Sequence, residues 1–157
     1  MAEHSFLLQR VQPAMVGLID GSLSTLAPIF GIAFYTHKPH AAFVAGLATA
    51  IGAGISMAYS EGLSDTGELT GRGSPFVRGS ITGLGTFIGG ILHTLPFLIP
   101  RYHAALVAAG IVVAFELVAL AALRWRFFGT SFSKSLAYIT LGGAVIAAVG
   151  VAVGSGG

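Results

Sequence analysis

The chain has 157 residues, 54% of them hydrophobic and only 9% charged, and its mean hydropathy is +0.84. Soluble domains carry about 25% charged residues, so this composition excludes a water-soluble globule and points to an all-α integral membrane protein. Eight Lys and Arg without a basic run exclude nucleic acid as a partner, and the lack of cysteine excludes disulfides and thiolate metal sites.

A spanning helix needs about 20 apolar residues, and five stretches qualify. The first covers about residues 12–36 and contains VGLIDGSLSTLAPIFGIAF. Ahead of it, Glu3 sits where a secretory signal would be basic, so no cleaved leader is expected. At 1.5 Å per residue, Asp20 lies roughly 13 Å into this span, close to mid-membrane. An ionised side chain there costs on the order of 3 kcal/mol. Ser24 shares its face one turn later, and Pro28 has no N–H for the Ser24 carbonyl. A carboxylate, a hydroxyl and a freed carbonyl on one side of a kinked helix suit a hard divalent cation or a proton relay. The alternative is a protonated Asp20 hydrogen-bonded to a neighbouring helix.

The second stretch, about 41–62, follows the polar turn THKPH. Met57, Glu61, Asp65 and Glu68 then recur at helical spacing, on one face if the helix persists past Gly62 and Gly67. A thioether prefers softer transition metals over Ca²⁺ or Mg²⁺, and a ladder of carboxylates attracts cations from the water. A core methionine beside a solvated acidic loop is the plainer alternative. The third stretch, about 76–99, holds His93 in its outer part, where a hydrogen bond between helices is the expected role and a ligand role the alternative. The fourth, about 104–123, contains Glu116 with no basic residue at i±3 or i±4. Three roles are open to it: a share in the Asp20 site, a proton carrier, or a structural hydrogen bonder. The fifth covers about 133–154. His37, His40 and His103 fall in outer turns as interfacial polar residues, and Trp125 fits an aromatic belt at the inner interface.

With five spans and the N-terminus inside, the inner segments hold Arg10, Arg72, Arg78, Arg124, Arg126 and Lys134, against Lys38 and Arg101 outside. This bias predicts an N-in, C-out orientation. Gly17/Gly21, Gly85/Gly89 and Gly150/Gly154 have the Gly-x-x-x-Gly spacing of close helix packing, with a homodimer seam among its expected uses. No Walker loop, zincin motif or supported Ser/His/Asp set is present, so the chain is not expected to be an enzyme.

The stretch GLIDGSLSTLAPIFGIAF resembles the first-helix signature of the vacuolar iron transporter family: an Asp-Gly pair, small hydroxyl residues, then an apolar run. AGLATAIGAGISMAYSEG resembles the second helix of that family, and LHTLPFLI the end of its third. GRGSPFVRG and the first-helix stretch are most similar to the bacterial membrane-bound ferritin branch, and the resemblance covers nearly the whole chain. It implies a homodimer of five-helix subunits in a bacterial cytoplasmic membrane. The implied activity is export of Fe²⁺, with Mn²⁺ as a further substrate, by proton antiport and with no permanently bound cofactor. Asp20 matches the first-helix pathway carboxylate and Met57 the second-helix methionine, with Glu61 one turn nearer the cytosol. The expected metal-handling set is then Asp20, Met57, Glu61, Asp65, Glu68 and Glu116. Plant and protist relatives carry a long acidic domain between the second and third helices, and a glutamate where this chain has Thr49; here the insert shrinks to the loop around Asp65 and Glu68. The ferritin branch adds a ferritin-like di-iron domain, so such a domain, N-terminal or separate, is an expected partner. A non-transporting membrane anchor for that partner is the alternative function.

Overall fold

A computed structural model describes residues 2–156, with side chains from residue 4 onward. Among these residues the regular elements are all helical: α1 Ala2–Phe6, a π-turn Leu7–Val11, α2 Gln12–Ser24, α3 Leu26–Thr36, α4 Pro39–Ser64, α5 Pro75–Leu92, a 3₁₀ turn Leu95–Leu98, α6 Tyr102–Phe128 and α7 Phe132–Ser155.

Two interruptions divide the first helical stretch, and proline accounts for both. Pro13 has no N–H to continue the helical ladder, and the turn before it widens, so that the Gln12 N–H reaches the Leu7 carbonyl. Pro28 likewise cannot serve the Ser24 carbonyl, and the chain breaks at Thr25 between α2 and α3. The Thr25 N–H turns to the Leu23 carbonyl, while its hydroxyl donates to the Gly21 carbonyl at 2.8 Å.

Four helical stretches are long and apolar enough to cross a membrane: His4–Thr36, Pro39–Ser64, Tyr102–Phe128 and Phe132–Ser155. The expected third span is different. Its helix, α5, has 18 residues and ends at Leu92, giving way to the tighter turn that precedes Ile99. It is the central helix, packed between α2 and α4. Arg78, Thr82, Thr86 and five of its glycines are buried.

Glycine allows this close approach. Gly17 and Gly21 lie on the backbone of Thr82 and Thr86, and Gly85 and Gly89 on Ala14, Leu18 and Ser22. Gly150 and Gly154 lie on Ala27 and Gly31, where a Cβ at Gly150 would stand 2.6 Å from the Ala27 carbonyl oxygen. All three Gly-x-x-x-Gly pairs therefore pack against helices of the same chain.

Two apolar clusters close the bundle at its ends. Ile29, Ala33, Ala42, Phe97, Ala105 and Ala109 form one, with Phe30 set edge-on to Phe97. Met15, Leu117, Leu120 and Ile139 form the other. The basic residues segregate in the same way. Arg10, Arg72 and Arg78 line one small cavity, and Arg124, beside Gln12, reaches Ser135 at that same end. Lys38 and Arg101 belong to the opposite turns, joined by the His37–Tyr102 ring contact. Large apolar side chains such as Ile51, Ile55, Val107, Ile111, Val145 and Val149 stand exposed on α4, α6 and α7. A bilayer covers such faces at no cost in backbone hydrogen bonds, because a helix satisfies its own.

Candidate functional site

Asp20 lies on α2 one turn before the break at Thr25. Gly17 and Gly21 put their side of the helix against α5. Val16 and Ser24, one turn either way from Asp20, are exposed. Asp20 itself is half-buried, and it has no hydrogen-bond or ion-pair partner among the described residues. The carboxylate thus sits on a stripe that opens outward from the single chain. Met57 is half-buried on α4.

The acidic residues beyond Met57 do not continue along one helical face. α4 ends at Ser64, and Asp65 is already extended, with φ −162° and ψ 161°. This corrects the expected helical ladder of Glu61, Asp65 and Glu68. Glu61 and Asp65 instead meet two arginines. Arg72 lies 2.6 Å from Glu61 and 3.0 Å from Asp65, and Arg78 lies 2.9 Å and 3.3 Å from the same two carboxylates. Arg78 is wholly shielded from solvent and also donates to the Gly73 and Asp65 carbonyls. A guanidinium can satisfy so many acceptors because its five donors are fixed in a plane. Burial pushes the Asp65 carboxyl up, but bonds from Thr70 and Gly67, the Arg78 charge and the Arg72 bond together hold it below the usual carboxylate range. Two cations face two anions, so this knot is neutral. It ties the loop to α4 and α5. Gln9 adds a bond from the N-terminal stretch to the Gly71 carbonyl at 3.1 Å. Glu68 stays exposed and outside the knot.

Glu116 faces elsewhere. Its Oε2 is 2.8 Å from Nδ1 of His93, and Nε2 of His93 is 2.7 Å from Oγ1 of Thr25. The group lies between the two apolar clusters, and its three side chains come from α6, the end of α5 and the α2–α3 break. Glu116 Oε1 is buried without a partner among the described residues, as are the Thr82 and Thr86 hydroxyls.

The structure therefore distributes the six expected metal-handling residues over four places: Asp20, Met57, the Glu61/Asp65 knot with Glu68 beside it, and Glu116 on His93. Among the described residues no group of three or more His, Asp or Glu gathers around one point that could hold a metal ion. Arg72, Arg78 and Thr25 are the site residues that sequence reasoning passed over. Arg78 did carry a signal, since an arginine inside an otherwise apolar and glycine-rich helix requires a partner. Comparison with known proteins finds no matching family model, curated relative or solved structure.

Proposed function

We propose that this chain is a multi-pass carrier that moves divalent cations of the Fe²⁺ or Mn²⁺ type out of the cytosol in exchange for protons. In this reading it works as a dimer in a bacterial cytoplasmic membrane, with α5 as a fifth crossing helix. The observation that carries it is Asp20, an unpartnered carboxylate on an apolar helix, one turn from a break in that helix. A carboxylate without a protein partner is available to a cation. Its outward-opening stripe is where a second copy would add its own Asp20, and Met57 supplies a thioether suited to a transition metal. Recruitment falls to Glu68, because Glu61 and Asp65 already hold arginines. The six basic residues at one end support a cytosolic position for that end.

The test is uptake of Fe²⁺ and Mn²⁺ into liposomes holding the purified protein, with and without a pH gradient, for wild type and Asp20→Asn. Gradient-dependent uptake that disappears in the folded variant is the expected result. Full transport by Asp20→Asn, or none by folded wild type, overturns the reading.

One observation favours a second reading, a membrane anchor for a ferritin-like partner: the described residues gather no three-ligand group. An anchor predicts that Asp20→Asn alters thermal stability or self-association and that wild type carries no ion.

A further inference from the structure

Thr25, His93 and Glu116 are 0%, 1% and 5% exposed and form one continuous hydrogen-bonded chain. Its protons can be counted. In one arrangement the Thr25 hydroxyl hydrogen goes to the Gly21 carbonyl, which only accepts, over 2.8 Å. The Thr25 oxygen is then left to accept, and Nε2 of His93 is the donor it meets at 2.7 Å. The last link, Nδ1 to Glu116 Oε2 at 2.8 Å, needs one hydrogen between two atoms that otherwise present only lone pairs. That hydrogen sits on the ring, giving imidazolium and carboxylate, or on the acid, giving imidazole and carboxylic acid. The pair has no net charge in either arrangement.

Without this proton the chain must rearrange. A neutral ring keeps one hydrogen, which on Nδ1 serves Glu116 and leaves Nε2 to accept the Thr25 hydroxyl, drawn off the Gly21 carbonyl, while the Glu116 carboxylate remains as a buried charge with Oε1 lacking a partner among the described residues. No other charge in the surroundings compensates. The α5 stretch 79–92, the α4 stretch 41–56 and the α7 stretch 139–155 contain no ionisable side chain. α6 has only Glu116 between residues 104 and 123, α2 has only Asp20, and α3 has only the exposed Tyr35.

We propose that His93 and Glu116 form a binding site for one exchangeable proton, and that occupancy of this site fixes the α2–α3 break through Thr25. With the proton bound, the chain is closed and the Thr25 hydroxyl is held on Gly21. When it leaves for water, the remaining ring hydrogen goes to Nδ1, the Thr25 hydroxyl turns from the Gly21 carbonyl to Nε2, and the break loses that bond and loosens. The site requires no metal and does not rest on the transport reading.

The experiment uses the full chain in lipid nanodiscs without metal. It follows hydrogen exchange of the amides over residues 21–30 against pH, corrected for the intrinsic pH dependence of exchange, together with the ¹⁵N shifts of the His93 ring. In wild type, protection across the break falls as pH rises, in step with a change at the His93 ring. Glu116→Gln keeps an N–H donor toward Nδ1 but has no removable proton, so its protection stays high and loses the pH dependence. Thr25→Val uncouples the two ends: the ring still responds to pH, but the break no longer follows it. The proposal is overturned if wild-type protection is flat across the pH range in which the protein stays folded, or if Glu116→Gln keeps the wild-type profile. Should Glu116→Gln fail to fold, the wild-type ring shifts decide, because no pH response at His93 overturns the proton site directly.

Discussion

Arg78, fully enclosed, places its Nε 2.9 Å from the Glu61 carboxylate, which also accepts Arg72 at 2.6 Å. Removing one partner of a buried ion pair leaves the other charge stranded, at about 3 kcal/mol or more. Glu61→Ala is therefore expected to lower the thermal midpoint in detergent clearly, with Arg78→Lys no better tolerated, since an ammonium cannot span the same set of acceptors. Unchanged stability in Glu61→Ala, together with weakened cation binding, would instead make Glu61 a free ligand.

Asp65 gives this loop a pH dependence with a definite sign. Its carboxyl is held below the ordinary 3.8 when folded. A depressed folded value means the stabilisation is fully present above the unfolded value and is lost as pH falls through the folded one. The loop should thus stay protected from proteolysis at neutral and mildly acidic pH and become cleavable below the usual carboxylate range. Asp65→Asn should show that susceptibility at neutral pH. Equal cleavage of wild type and variant at neutral pH would contradict the role assigned to the carboxylate.

The glycine contacts separate substitutions into two groups. Gly150→Val drives a side chain into the Ala27 backbone, and Gly21→Val does the same at Thr86, so both should prevent folding rather than dissociate an oligomer. At Gly110 and Gly142 a Cβ meets nothing within 4 Å. Alanine there should stabilise the helix by up to about 1 kcal/mol. Size-exclusion profiles and thermal midpoints of the four variants check the division.

Asp20 should prove costly to stability. With no partner among the described residues, it gains nothing from the protein to offset its desolvation. Asp20→Leu is expected to raise the unfolding midpoint in bilayers, corresponding to roughly 1–3 kcal/mol. A lower midpoint would reassign Asp20 to a structural bond made with something outside the described chain.

The positions of the helices were legible because runs of apolar residues broken by Pro, Gly and charge leave a one-dimensional trace. The break after Ser24 was legible for a local reason, since Pro28 removes a donor four residues back. The end of α4 was not, because the arginines that draw Asp65 out of the helix lie later in the chain, Arg72 in the loop and Arg78 beyond it, and spacing alone favoured one continuous face. Glu116 and His93 were each conspicuous, yet they are 23 residues apart, and His93 is 68 from Thr25. Nothing local joins them. The glycine pairs announced close packing without naming the partner helix. The structure gives each pair its partner within the chain.

The enclosure of α5 also bears on how the protein is made. α5 leaves one apolar stripe exposed, running through Phe76, Leu84 and Ile88, and buries Arg78 and two threonines on its other sides. A ribosome delivers α2 and α4 first, and these two helices form the walls between which α5 fits. The arginine's two carboxylates, Glu61 and Asp65, also precede it in the chain. Assembly of α5 is thus best described as docking into a cradle already synthesised. Nascent chains in which that cradle is damaged should leave Arg78 and the glycine face of α5 uncovered before α6 emerges.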